Sequence, residues 1–74
     1  MAGEAVHVVP TNGMWGVRRE GDEEILSVHD TQAEAEQAGR DLARAEQVEF
    51  VLHNEAGAIR EKDSYGNDPR SSAG

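Results

Sequence analysis

The sequence predicts a two-layer α+β domain of order β-β-β-α-β-β, in which one largely antiparallel sheet carries a single helix on one face. Alternating apolar and polar residues in short stretches indicate the strands. A capping motif near the middle of the chain indicates the start of one helix. The short loops between the first three strands make those strands antiparallel neighbours. At 74 residues, the chain has room for one compact domain.

The first half of the chain is predicted to form a three-stranded meander. Pro10 ends the first strand because it has no N–H to donate to a sheet. Asn12 and Gly13 tolerate the positive φ of the tight turn that follows. In the second strand, Trp15 and Val17 lie on one face, which we expect to be the core side. The predicted strands cover residues 5–9, 14–20 and 24–28.

One helix is predicted from Thr31 to about Glu46. The Thr31 hydroxyl caps its start by accepting a hydrogen bond from the amide of Glu34. Glu36 and Arg40 form a favourable i,i+4 pair on the outer face. An apolar stripe of small residues is expected to pack closely on the sheet rather than to bind a partner. The stripe comprises Ala35, Ala38, Leu42 and Ala45, with Gly39 beside it.

Two strands follow the helix. Residues 48–53 alternate between two faces, with Phe50 and Leu52 on the core side. A turn over residues 54–57 leads into the last strand, residues 58–62. The opposite face of the sheet is expected to expose Val9, Met14 and Val51 unless a second copy covers it. The predicted core comprises Val6, Val8, Trp15, Val17, Leu26, Val28, Ala35, Ala38, Leu42, Phe50, Leu52 and Ile59.

Three stretches together resemble the small bacterial family catalogued as domain of unknown function 2188. They are residues 6–10 (VHVVP) followed by 13–17 (GMWGV), residues 28–35 (VHDTQAEA) and residues 57–69 (GAIREKDSYGNDP). The resemblance implies a short bacterial protein with strands around one helix, and it implies no reaction. It also places residues 64–66 in the folded unit. The turn departs from the family at Ala56-Gly57, where similar proteins often carry Asp-Gly.

These observations divide the chain into three parts. Residues 1–4 are expected to be a flexible start, residues 5–66 the α+β domain, and residues 67–74 a disordered tail rich in Ser, Gly, Asn, Asp and Pro. No apolar run is long enough for a membrane span, and the N-terminus does not resemble a secretory signal, so we expect a cytoplasmic protein. The chain has no cysteine, so no disulfide adds to its small core. A second copy is therefore a plausible source of further buried surface.

The charge balance is strongly acidic, with 15 acidic and 7 basic residues and a net charge of −8. Such a surface repels phosphate backbones, which argues against nucleic-acid binding without excluding it. Two basic groups depart from the trend, namely Arg18 with Arg19, and Arg60 with Lys62. Trp15 beside the first group resembles a base-stacking platform, although its place beside Val17 favours a core role.

No motif for catalysis, cofactor binding or metal binding is present in the sequence. His7, His29 and His53 belong to distant elements, and zinc sites in small domains usually include cysteine. There is no Gly-x-Ser-x-Gly motif and no phosphate-binding loop. An acid–base pair of His53 with Tyr65 is the remaining enzymatic alternative. Tyr65 either folds back over the sheet or belongs to a flexible recognition segment.

The leading hypothesis is a non-enzymatic interaction module that self-associates through a sheet face or an edge strand, or that binds a protein partner. It rests on the thin core, the unpaired sheet edges and the lack of a catalytic motif. A nucleic-acid accessory protein is the alternative, and a small enzyme is the third. The candidate contact residues are Trp15, Arg18, Arg19, His53, Arg60, Lys62 and Tyr65.

Overall fold

The computed structural model describes residues 4–66 and confirms the α+β fold and the order of its elements. Residues 1–3 of the predicted flexible start, and the predicted tail over residues 67–74, lie outside the described residues. No helix in the described part of the chain is long and apolar enough to cross a membrane. The elements are β1 (Val6–Thr11), β2 (Met14–Arg19), β3 (Ser27–His29), α1 (Gln32–Glu46), β4 (Glu49–His53) and β5 (Ile59–Ser64).

The five strands form one mixed sheet of order β3-β2-β1-β4-β5. The meander is confirmed, since β1 pairs with β2 and β2 with β3 in antiparallel fashion. The last hairpin, β4 with β5, is antiparallel as well. In contrast, β1 and β4 are parallel, because the helix carries the chain back across the sheet before β4 begins. The centre of the sheet is therefore built from strands that are distant in sequence.

The strand ends differ from the prediction at two turns. Pro10 does not end β1 but lies within it, opposite Trp15. Because β4 pairs with β1 only as far as Val8, a missing N–H is tolerated beyond that point. β3 begins later than predicted because the Asp22 side chain accepts from the amide of Glu24 and extends the preceding turn. β5 continues two residues further than predicted.

Residues adjacent to each end of α1 cap the helix. The Thr31 hydroxyl accepts from the amide of Glu34 at 3.1 Å, which confirms the predicted cap. The helix ends at Glu46, and the next residue, Gln47, adopts a left-handed conformation with φ 60°. The amide of Gln47 donates to carbonyls of the last helical turn, including that of Ala43. The C-terminal cap therefore depends on a conformation that usually favours glycine.

The helix packs on the sheet through a stripe that differs from the predicted one. Ala35, Gly39 and Ala43 are buried, whereas Ala45 is exposed. These three lie four residues apart, so the contact line is centred on Gly39 rather than beside it. The buried core is completed by Val6, Val8, Val17, Val48, Phe50 and Leu52, with Trp15, Ala38, Leu42 and Tyr65 packed at its edge.

Three residues predicted for the core are exposed instead. Leu26 is 39%, Val28 47% and Ile59 60% exposed. Val28 lies opposite Gly16 on an edge strand and faces away from the helix. Ile59 begins the other edge strand, opposite His53 at an irregularity in the pairing. Leu26 precedes β3, and its amide donates to the carbonyl of Val17. Alternation identified these apolar residues without showing which of them the helix reaches.

Candidate functional site

The side of the sheet away from α1 is the candidate functional surface. Because side chains alternate along a strand, residues next to the buried Val6, Val8 and Leu52 point to this side. Among residues 4–66, no helix or second sheet packs against it. We call it the open face, and its residues include His7, Val9, Thr11, Met14, Gly16, Arg18, Val28, Val51, His53 and Lys62.

One row of residues crosses four strands of the open face. The pairing register places Arg18 beside His7, His7 beside Val51, and Val51 beside Lys62. Val51 was predicted to be exposed, but it is only 3% exposed. The row therefore combines a buried aliphatic centre with a cation at each end.

A second apolar group lies beside this row. The Ile25 side chain reaches over Gly16, where an added Cβ would lie 3.0 Å from Ile25 and 2.6 Å from the Thr11 hydroxyl. Val9, which pairs with Gly16, is half-buried. Met14, Val28 and Ile59 are exposed and make up a discontinuous apolar rim of the open face, since Val28 and Ile59 lie on its two opposite edge strands.

A chain of hydrogen bonds runs along the open face through two histidines. His7 Nδ1 lies 2.9 Å from His53 Nε2, although the two residues are 46 positions apart. At one end, His7 Nε2 lies 3.1 Å from Glu20 Oε1. At the other, His53 Nδ1 lies 3.1 Å from the Gly57 carbonyl. The pair was not predicted from the sequence, because only the parallel register of β1 and β4 brings the two rings together.

The predicted basic residues do not form one patch. Arg19 binds Glu46 at the end of α1, and this hydrogen bond lowers the pKa of the Glu46 carboxyl. Arg18 donates to the backbone carbonyl of Asp22 at 3.2 Å. Lys62 Nζ lies 3.8 Å from Glu49 Oε1. Most of the cationic groups proposed for nucleic-acid contact are thus already engaged by the protein itself.

Two of the candidate residues do share a surface. Trp15 and Arg60 line an open cleft of about 710 Å³ between the start of α1 and the β4–β5 turn. Arg60 donates to the side-chain oxygen of Gln32, which in turn donates to the His53 carbonyl at 3.0 Å. Trp15 is half-buried and packs against the core, as its pattern predicted.

A comparison with models of protein families identifies the family of this chain. The model of a family described as an uncharacterized protein conserved in bacteria, DUF2188, matches residues 6–65. The chain belongs to the DUF2188 family. The matched region includes all five strands and the helix, so the open face lies within it. No curated protein and no solved structure matches the chain.

In this DUF2188 chain, the proposed His53–Tyr65 pair is not assembled. His53 ends β4, whereas the amide of Tyr65 donates to the carbonyl of Val48, just before β4 begins. The two side chains therefore lie at opposite ends of the strand and bond to different partners. Tyr65 folds back on the core, and its hydroxyl lies 2.9 Å from Arg40 Nη1.

Arg40 is the centre of a polar cluster that the sequence analysis identified only in part. Besides the predicted bond to Glu36 at 2.9 Å, its guanidinium contacts Asp63 at 2.6 Å and Glu61 at 3.3 Å. It also lies 4.5 Å from the centre of the Phe50 ring. Partial burial alone lowers the pKa of Arg40, but the hydrogen bonds to its partners outweigh that effect and raise the pKa above its ordinary value. We interpret this cluster as a clamp between α1 and β5.

The described residues also bear on metal binding. Within residues 4–66, no group of three or more His, Asp or Glu side chains is arranged to hold a metal ion. His29 bonds to Ser27 at 2.9 Å on the helix side of the sheet, apart from the other two histidines. The open face, with its paired histidines and apolar rim, is therefore the surface with the most distinctive chemistry.

Proposed function

We propose that this protein is a non-enzymatic interaction module that self-associates by packing its open face against that of a second copy. The observation that carries the proposal is the uncovered apolar surface of the sheet. Val28 and Ile59 are 47% and 60% exposed at its two edges, and Met14 is 36% exposed. Covering such a surface is favourable at roughly 25 cal/mol for each Å² of apolar area removed from water.

Charge supports a second copy as the occupant. The chain carries a net charge of −8, so most surfaces of two copies repel each other. The open face is balanced, because Arg18 and Lys62 accompany Glu20 and Glu49. Lys62 lies near Glu49, and Glu20 lies beside His7. Two open faces can therefore approach without bringing the acidic excess into contact.

The edge strand β5 is a poor site for self-pairing. Two antiparallel copies of one strand are related by an axis normal to the sheet, so residues on the same face oppose each other. Glu61 and Asp63 face the helix side, where both contact Arg40, while Lys62 faces the other. Any register centred on these residues places like charges directly opposite, which is destabilising. Repulsion between like charges therefore favours association through the open face over pairing at the β5 edge.

Sedimentation across a concentration range tests the proposal with matched variants. Wild-type protein is expected to form a dimer as its concentration rises. Val28→Arg and Ile59→Arg place cations on the exposed rim of the open face and are expected to shift the protein to monomer. Ala45→Arg adds the same charge at an exposed position of α1 and is the control. A wild-type monomer at high micromolar concentration, or a dimer that tolerates both rim variants, would contradict the proposal.

Nucleic-acid binding is the second candidate function, and one observation favours it. Trp15 and Arg60 line the same cleft, which combines an aromatic ring with a cation, as single-strand binders do. Its test is tryptophan fluorescence during titration with single- and double-stranded oligonucleotides at low salt. A spectral change that is lost in Arg60→Gln supports this candidate. Unchanged fluorescence with no binding signal removes it.

A further inference from the structure

The His7 and His53 rings meet end to end rather than face to face. Their centroids are 5.1 Å apart and their planes differ by 29°. With 2.9 Å between the two facing nitrogens, a centroid distance of 5.1 Å is close to the largest that two five-membered rings allow. His7 Nδ1 and His53 Nε2 therefore point nearly straight at each other, as the two ends of one hydrogen bond do.

The outer contacts of the pair determine how many protons the two rings carry. A carboxylate and a carbonyl accept hydrogen bonds but donate none. His7 Nε2 must therefore carry a proton to bond with Glu20, and His53 Nδ1 must carry one to bond with Gly57. Two neutral imidazoles have only these two protons, which leaves two bare lone pairs facing each other at 2.9 Å. A third proton between them completes all three bonds.

We infer that His7 and His53 form a binding site for a single cation, and that this cation is one shared proton. A spacing of 2.9 Å is an ordinary hydrogen-bond length. A transition metal between two facing imidazoles needs ~2.0–2.1 Å on each side, or about 4 Å in all. The proton therefore fits the observed separation, and a metal ion does not.

The surroundings of the site favour one bound proton and oppose a second. The charged groups around the pair are Arg18 on β2, Glu20 directly after β2, Glu49 on β4 and Lys62 on β5. Their charges balance, and Glu20 directly contacts the pair and offsets the first positive charge. A second proton would turn the inner contact into one N–H facing another, and would break the His7–His53 bond. The open face thus has three protonation states, and only the state with one shared proton makes the His7–His53 bond between β1 and β4, whether or not the face binds a second copy.

Nitrogen NMR of the imidazoles in the full-length protein tests the inference. Across a titration from mildly alkaline to mildly acidic pH, His7 Nε2 and His53 Nδ1 are expected to remain N–H. The two inner nitrogens are expected to shift together as one proton binds, and the second proton to bind in a separate step. His29, which bonds to Ser27 and does not contact the pair, is the internal control.

Three results decide between the alternatives. In His7→Gln, His53 is expected to titrate in a single step; if this variant does not fold, the tautomers of the wild-type protein decide alone. An Nε2 without a proton on His7, or inner nitrogens that titrate independently, would overturn the shared proton.

The third result comes from adding Zn²⁺ at one equivalent. Unchanged inner nitrogen shifts support the proton, whereas a stoichiometric change at both nitrogens shows a metal site instead.

Discussion

Gly39 of α1 lies so close to Phe50 of β4 that a Cβ at position 39 would come within 2.8 Å of the aromatic ring. The same Cβ would also lie 2.8 Å from a methyl group of Val8. Real Cβ atoms do not approach other atoms so closely, so a side chain at this position must displace the helix or the ring. The close seating of α1 on the sheet depends on this glycine.

Gly39→Ala is therefore expected to destabilise the protein, by ~1–3 kcal/mol from overpacking. This outcome opposes helix propensity, which favours Ala over Gly by about 1 kcal/mol at an unhindered site. Urea unfolding measures the effect. Ala45→Gly at an exposed position of the same helix is the control and reports the propensity alone. A stabilised Gly39→Ala variant would show that the helix does not pack as closely as described.

At Gln47, in contrast, a substitution is expected to stabilise the protein. It caps α1 with φ 60°, a conformation that costs a residue with a Cβ roughly 1–2 kcal/mol. Gln47→Gly is expected to stabilise the protein by about 1 kcal/mol, because the exposed side chain contributes little and glycine removes the strain. Gln47→Ala keeps a Cβ and serves as the control. Equal thermal midpoints for the two variants would refute the explanation.

The fold was predictable from the sequence where neighbouring residues determine the local structure. The start of α1 and the turn at Asn12 and Gly13 depend on neighbouring residues, so local patterns predicted them, and both turn residues do adopt positive φ. The helix stripe was misplaced by a fraction of a turn, because several small residues surround Gly39. Only the sheet shows which of these residues face the core.

The candidate site was less predictable than the fold, for a physical reason. Alternation placed His7 and His53 on the side opposite their core neighbours. Their contact depends on the parallel pairing of β1 with β4, which no local pattern specifies. Val28 and Ile59 were assigned to the core for a related reason, since apolar residues on edge strands have the same periodicity as buried ones. The sequence patterns do not specify how strands that are distant in the chain pair with each other.

Arg40 is expected to contribute more to stability than any exposed arginine of the helix. Its side chain is 18% exposed and contacts Glu36, Glu61, Asp63 and Tyr65. Arg40→Met preserves much of the contact with Phe50 but removes these bonds, and is expected to cost ~1–3 kcal/mol. The control is Arg44→Met, where a 60% exposed side chain bonds to Asp41 and the expected cost is below about 1 kcal/mol. Equal unfolding midpoints for the two variants would mean that Arg40 does not clamp β5 to the helix.

The Arg19–Glu46 pair predicts a specific dependence of stability on pH. The hydrogen bond from Arg19 is the main cause of the lowered pKa of Glu46, so the folded state holds this carboxyl's proton less tightly than the unfolded chain. Stability from the pair is therefore fully present above the unfolded pKa of Glu46, and is lost as the pH falls through the folded pKa. Arg19→Gln is expected to be less stable than wild type at neutral pH and equally stable in acid, below the folded pKa. Urea unfolding of both proteins across this range measures the difference, with Arg44→Gln as a control on an exposed cation. A difference that stays constant in acid would show that Arg19 acts through packing rather than through the charge of Glu46.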